Sequence, residues 1–270
     1  MIPTLLKHEA IRTRGLLAVI AGAAVAVVGL GALLVIADWP GLSPLGLVVA
    51  IGAIAALAPV VQFALAVDYW RSSYRTTGFL THALPIRGGT VYAAKAIWAV
   101  LMTLAALVLS AALIAVLHSA NAVASGQDAN PFTALARLLD DLATAVPAWM
   151  LVAGPLLVVA LYAGWTLQLL LAASVGSEEP LNRRGAGGPV IVFALLYVAT
   201  QALSLLGLAV IRYGIGASGD GIGVVPINVF DPAAADAAIM PLGFIPGILL
   251  LSAFAVWRTA RSWNRRVSLV

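Results

Sequence analysis

The chain has 270 residues, of which 62% are hydrophobic and 10% charged, and its mean hydropathy is +1.04. That balance excludes an ordinary soluble domain. The net charge of +4 and pI near 9.8 do not point to nucleic acid, because too little polar chain exists to build a basic folded surface; and the absence of cysteine rules out disulfides, thiolate metal sites and a cysteine nucleophile.

Six uncharged runs reach the roughly 20 residues that a helix needs to cross a bilayer: Gly15–Ala37, Leu45–Val67, Ala96–Leu117, Ala148–Ser174, Pro189–Ile211 and Ile239–Trp257. They are continuous and rich in Leu, Ala and Val, whereas a spanning barrel strand alternates over about ten residues. The predicted fold class is therefore all-α: a polytopic membrane protein with six transmembrane helices in one transmembrane domain, residues 1–270.

Basic residues orient these spans. With the N-terminus inside, Lys7, Arg12, Arg14, Arg71, Arg75, Arg87, Lys95, Arg183, Arg184, Arg258, Arg261, Arg265 and Arg266 fall in inner segments, and the outer loops hold only Arg137 and Arg212. Inner loops carry the excess of Lys and Arg, so both termini are predicted to be cytoplasmic. The first run is longer than the 7–15 residues or so of a signal-peptide core and is expected to stay.

In chain order, residues 1–14 mix Ile2, Leu5, Leu6 and Ile11 with Lys7, His8, Glu9, Arg12 and Arg14, a composition suited to the inner headgroup surface. The loop after span two, residues 68–95, is the most chemically varied part of the chain. Gly78 and Pro85 bracket Phe79-Leu80-Thr81-His82-Ala83-Leu84, whose apolar residues have the spacing of one helical face. Proline disfavours helix at the residue before it, so a very short helix is expected here, projecting toward the cytosol. It is too small for chemistry and well shaped to be gripped by another protein.

Between spans three and four, Asn130-Pro131 reads as a helix cap and first position. Phe132, Leu135, Leu139 and Leu142 then share one face opposite Arg137, Asp140 and Asp141, an amphipathic helix on the outer surface. Residues 175–188 are glycine-rich and charged and read as a flexible connector. The last outer loop contains the apolar island Val224-Val225-Pro226-Ile227-Asn228-Val229-Phe230, which can dip back into the bundle. Residues 258–270 form a basic tail.

Several patterns look catalytic and are not. Gly214-Ile-Gly216-Ala-Ser-Gly219 follows a membrane span where a dinucleotide site needs a strand and a helix. Gly216-Ala-Ser218-Gly219 resembles the serine motif of rhomboid-like proteases, but His8, His82 and His118 all precede it, and that family needs a histidine on a later helix. No catalytic or metal residue is assigned, since the histidines lack ligand spacing, and no nucleotide-binding GxxxxGK[ST] occurs. The spans carry no ionisable residue at mid-depth, where carriers driven by protons or sodium usually keep one; any driving force is expected from a partner. Neutral polar residues remain, and Gln62, Tyr162, Gln168, Thr200 and Gln201 are the candidates to line a pathway, beside the helix–helix hydrogen bonding that explains most such residues. Pro59, Pro155 and Pro246 are expected to loosen their helices.

Gly78-Phe-Leu-Thr-His-Ala-Leu-Pro85-Ile, with Lys95 further on, resembles the G-[YF]-L-T-x-x-L-P-[IV]…K stretch of small six-span permeases of ABC-type exporters, the type V or ABC type-two class. The six spans, polar loop after span two, long outer region between spans five and six and basic tail resemble the same class. The resemblance implies a subunit without ATPase activity, paired with a cytoplasmic ABC ATPase that carries ATP and Mg, and with a second permease subunit, identical or related. It implies that Gly78, Phe79, Leu80, Thr81, His82, Ala83, Leu84 and Pro85 dock into the ATPase. It further implies re-entrant helices between spans five and six, a cargo of peptide, drug, lipid or glycan, and a multi-pass place in the bacterial cytoplasmic membrane. Two other classes stay open: a structural or regulatory membrane subunit, and a membrane-embedded enzyme.

Overall fold

In lipid, a backbone has no water to satisfy its N–H and C=O groups, so an apolar run satisfies them along itself as helix. The computed structural model, which describes residues 2–75, 78, 86–218, 221–231 and 238–265, follows this rule. Its described residues form seven α-helices: α1 (Ile2–Ala37), α2 (Leu42–Tyr74), α3 (Gly88–Ala124), α4 (Pro131–Ala145), α5 (Ala148–Val175), α6 (Gly187–Val210) and α7 (Phe244–Arg265). All but α4 are long and apolar enough to cross a membrane. The chain is thus a helical multi-pass membrane protein, with one short 3-10 turn at Leu181–Arg184 and a small sheet between α6 and α7.

The helices overrun the apolar runs. The 36 residues of α1 extend roughly 54 Å at 1.5 Å per residue, well beyond a bilayer core of about 30 Å. From Ile2 onward the N-terminal residues are helical and continuous with the first span, because nothing between Gly15 and the first-turn Pro3 breaks a helix. Likewise α2 continues through Asp68–Tyr74, which lacks glycine and proline, and α3 begins at Gly88, so both ends of the expected 68–95 segment are helical. The basic tail also starts as helix, because α7 runs on to Arg265. Pro246 does not loosen its helix: it lies in the first turn of α7, where the missing N–H has no intrahelical acceptor to lose.

Contacts divide the chain into two compact units, Met1–Tyr69 with Ala93–Arg137, and Trp70–Tyr92 with Leu138–Val270. In the first, α1 and α2 approach closely at paired glycines. A Cβ on Gly31 would lie 2.6 Å from the Gly46 carbonyl oxygen and 2.8 Å from Ala50 Cβ, so only a hydrogen fits. Ala32 and Val35 pack with Leu47 and Ala120 beside this crossing. At the other end of the same helices, Glu9 and Arg12 of α1, Asp68 of α2 and Lys95 of α3 form a four-charge cluster. Arg12 pairs with Glu9 and, at 2.6 Å, with Asp68; Lys95 Nζ lies 3.0 Å from Glu9 Oε1. The Thr13 hydroxyl accepts from Trp98 Nε1 at 3.0 Å just above it.

In the second unit α5, α6 and α7 pack on one another. Gly164 of α5 faces the Ser252 hydroxyl too closely for any side chain, and Gly207 of α6 meets the Gly243 carbonyl in the same way. The sheet is antiparallel in the order β2 (Gly221–Pro226), β1 (Tyr213–Ser218), β3 (Met240–Pro241), with Ile215 opposite Val224 and Met240. This corrects the expected re-entrant helices: the apolar island begins as strand β2, and residues 227–231 follow without helix, with a turn at Val229–Phe230. It also accounts for the glycine pattern. Residues two apart on a strand share a face, and Cβ atoms on Gly214 and Gly216 would stand 2.5 and 2.8 Å from the Ile239 side chain. These glycines make room for an isoleucine, and no phosphate loop is needed to explain them.

Candidate partner-docking surface

Of the eight residues expected to dock a partner, Phe79, Leu80, Thr81, His82, Ala83, Leu84 and Pro85 lie outside the described residues. Gly78 is described: it is buried, and its N–H donates to the Arg75 carbonyl at 2.8 Å. What the structure describes around them is the seat from which the segment leaves and to which it returns.

Both ends of that seat rest on the end of α7. On the way out, the buried Tyr74 ring meets the Trp263 ring edge-on, with centroids 5.9 Å apart. On the way back, Gly88 lies under the Trp263 backbone, where a Cβ would come within 2.6 Å of the carbonyl oxygen, and the Gly89 N–H donates to Asn264 Oδ1 at 3.1 Å. An aromatic ring, a glycine contact and a side-chain cap thus fix two chain ends that are 13 positions apart in sequence (75 to 88).

Arg75, just past the end of α2, lays its guanidinium over the Trp70 ring at 5.1 Å. Among the described residues no acceptor meets its Nε or Nη2, nor Trp70 Nε1. All three nitrogens are buried, so this donor edge of Arg75 faces the protein interior.

The connector after α5 is built, and the expectation of a flexible segment is corrected. Ser177, Glu178 and Asn182 are buried. The Ser177 hydroxyl donates to the Ala173 carbonyl at 2.8 Å, and Gly176 and Gly188 touch backbone to backbone. Arg258 donates to both Glu178 oxygens, at 2.8 and 2.6 Å, and the Ser262 hydroxyl adds a third bond at 2.6 Å. Arg258 and Ser262 lie four apart on one face of α7, and Ser262 is followed directly by Trp263 and Asn264.

The candidate pathway residues are dispersed. Gln62 is wholly buried in the first unit. In the second, Gln168 donates to the Ser252 hydroxyl at 3.3 Å and accepts from Thr200 at 3.4 Å, joining α5, α6 and α7 in one polar contact. Tyr162 is half-buried and its carbonyl accepts from Thr166, while Gln201 is exposed on α6. Lys95 is also placed: it is 4% exposed and paired to Glu9 within the first unit. Among the described residues no three His, Cys, Asp or Glu side chains gather as a metal site. Residues that pattern reading passed over are Glu178, Arg258, Ser262, Trp263 and Asn264. The available signal was complementary charge, a carboxylate just past one span and an arginine just past another.

No protein-family model, characterised protein or solved structure matches the chain.

Proposed function

We propose that the chain is the non-catalytic transmembrane permease subunit of an ATP-driven ABC-type exporter in a bacterial cytoplasmic membrane. It binds a separate cytoplasmic ATPase, where ATP and Mg are used, through residues 78–85. It works beside a second permease subunit and moves an amphipathic cargo such as a peptide, drug or lipid. The observation that carries this reading is the seat of the segment: the chain on both sides of it, at Tyr74 and at Gly88 and Gly89, is held on the end of α7. A fixed base on either side of a short segment suits the docking of a protein partner on that segment. The Gly78–Pro85 stretch and its resemblance support the same reading, as do six helices able to span a membrane. The apolar runs lack mid-depth ionisable groups, so work supplied by a partner fits better than a proton or sodium relay.

The test is purification from the native membrane in mild detergent, with identification of whatever remains bound. A stoichiometric ATPase bearing the GxxxxGK[ST] sequence is expected. A chain that purifies alone in several detergents, with no ATPase lost on solubilisation, would refute the proposal and favour a self-sufficient membrane protein.

A further inference from the structure

The end of α7 touches three things at once: the exit of the docking segment through Tyr74 and Trp263, its return through Gly88 and Gly89 against Trp263 and Asn264, and the α5–α6 connector through Glu178 on Arg258 and Ser262. Every one of these contacts lies within the second unit. The bonds are not interchangeable surface pairs. Glu178 is buried and receives three hydrogen bonds from α7, and Arg258 is fixed through both guanidinium nitrogens that face the carboxylate.

We infer that the Arg258–Asn264 end of α7, the seat of the docking segment and the connector loop form one rigid coupling body, in which Glu178, Arg258 and Asn264 are positioning residues for ATP-driven work. The inference rests on the proposed function and adds its transmission route. Force that reaches Tyr74, Gly88 and Gly89 is delivered to Trp263 and Asn264, and α7 passes it through Arg258 and Ser262 to the connector that leads into α6. Packed elements of this kind move as units because close-packed contacts do not deform continuously. Docking affinity and transmission are therefore separable: the segment supplies the first and the Glu178–Arg258 clamp the second.

Glu178→Gln combined with Arg258→Gln removes the clamp without leaving a buried unpaired charge, and Gln can still bond Ser262. In the purified complex, ATPase retained per permease is expected to stay within about twofold of wild type, while hydrolysis per complex and cargo-independent vanadate trapping of nucleotide fall by about fivefold or more, the range of a coupling free energy. A purely structural role would lower retention and hydrolysis together. A second variant tests rigidity from the opposite side: the chain has no cysteine, and Gly89→Cys with Asn264→Cys places two thiols where a Cβ on Gly89 would meet only the Asn264 side chain, at 3.4 Å. Whatever the two substitutions themselves cost, oxidative cross-linking of this pair is expected to leave hydrolysis at the rate of the reduced double variant, because the two positions do not move against each other. Full hydrolysis in the clamp variant, or loss of hydrolysis on cross-linking, would overturn the inference alone. A wild type that binds no ATPase would overturn the proposed function and the inference with it.

Discussion

Glu9→Gln is expected to destabilise the protein sharply, even though it changes one atom. Glu9 Oε1 lies 3.0 Å from Lys95 Nζ, whose side chain is 4% exposed. At an effective dielectric near 20, a pair at that distance attracts by roughly 5 kcal/mol, and removing one partner from a buried pair costs about 3–5 kcal/mol. Glu9 and Asp68 balance Arg12 and Lys95 in the wild type. In the variant Arg12 keeps Asp68, so the uncompensated charge falls on Lys95. Thermal unfolding followed by helical circular dichroism in detergent is expected to shift down by roughly 6 °C or more. Adding Lys95→Met to Glu9→Gln removes the stranded charge and is expected to restore most of the loss, since a buried pair replaced by apolar groups is often neutral. The double-mutant cycle then gives a coupling well above the scatter of independent sites, about 0.5 kcal/mol. A shift under 2 °C or so for Glu9→Gln, or two losses that simply add, would refute the reasoning.

Gln168→Leu separates packing from passage. Ser252 and Thr200 keep their own bonds to Ile248 and Leu196 carbonyls, at 2.7 and 2.8 Å, so the variant loses only two long contacts and about 1 kcal/mol; unchanged transport with that small loss is expected if Gln168 ties helices, and abolished transport at full stability would make it a pathway residue. The start of α4 gives a pH signature. The Thr133 hydroxyl first, then the Asn130 N–H, with Arg137 adding to them, hold the Asp128 carboxyl below its usual value of 3.8. A depressed carboxyl stabilises above its unfolded pKa and loses that contribution as pH falls through the folded one. Amide-exchange protection at residues 132–134 should therefore persist down to about pH 4 and fade below it; fading already between about pH 6 and 5 would contradict the assignment.

The spans were legible because lipid demands about 20 apolar residues for each crossing, and α4 was legible because Asn130, Pro131 and the Phe132/Leu135/Leu139 spacing state a cap and a face. No residue of α4 is buried, and Phe132 is 79% exposed, so its apolar side is not spent on the bundle. The helix ends were not legible. Hydropathy stops where charges begin, whereas the helix of Ile2–Ala37 runs on through Arg12 and Lys7 because its backbone bonds need no apolar side chains. Residues 175–188 misled for a related reason: glycine and charge look like a loose connector until Arg258 and Ser262, about 80 positions away, are seen to hold Glu178. The sheet had a signal that was read as something else. Gly219-Asp220-Gly221 between two glycine-alternating stretches is a hairpin pattern, and the match to a nucleotide motif drew attention from the period of two.

The most direct test compares wild type with Leu84→Asp, both expressed at native level and captured from the membrane through a tag on the permease. Leu84 lies in the proposed docking segment, so a charge there should abolish retention of the ATPase while membrane insertion and yield stay as in wild type. An ATPase that binds Leu84→Asp as well as wild type would contradict the assignment of residues 78–85 as the docking element.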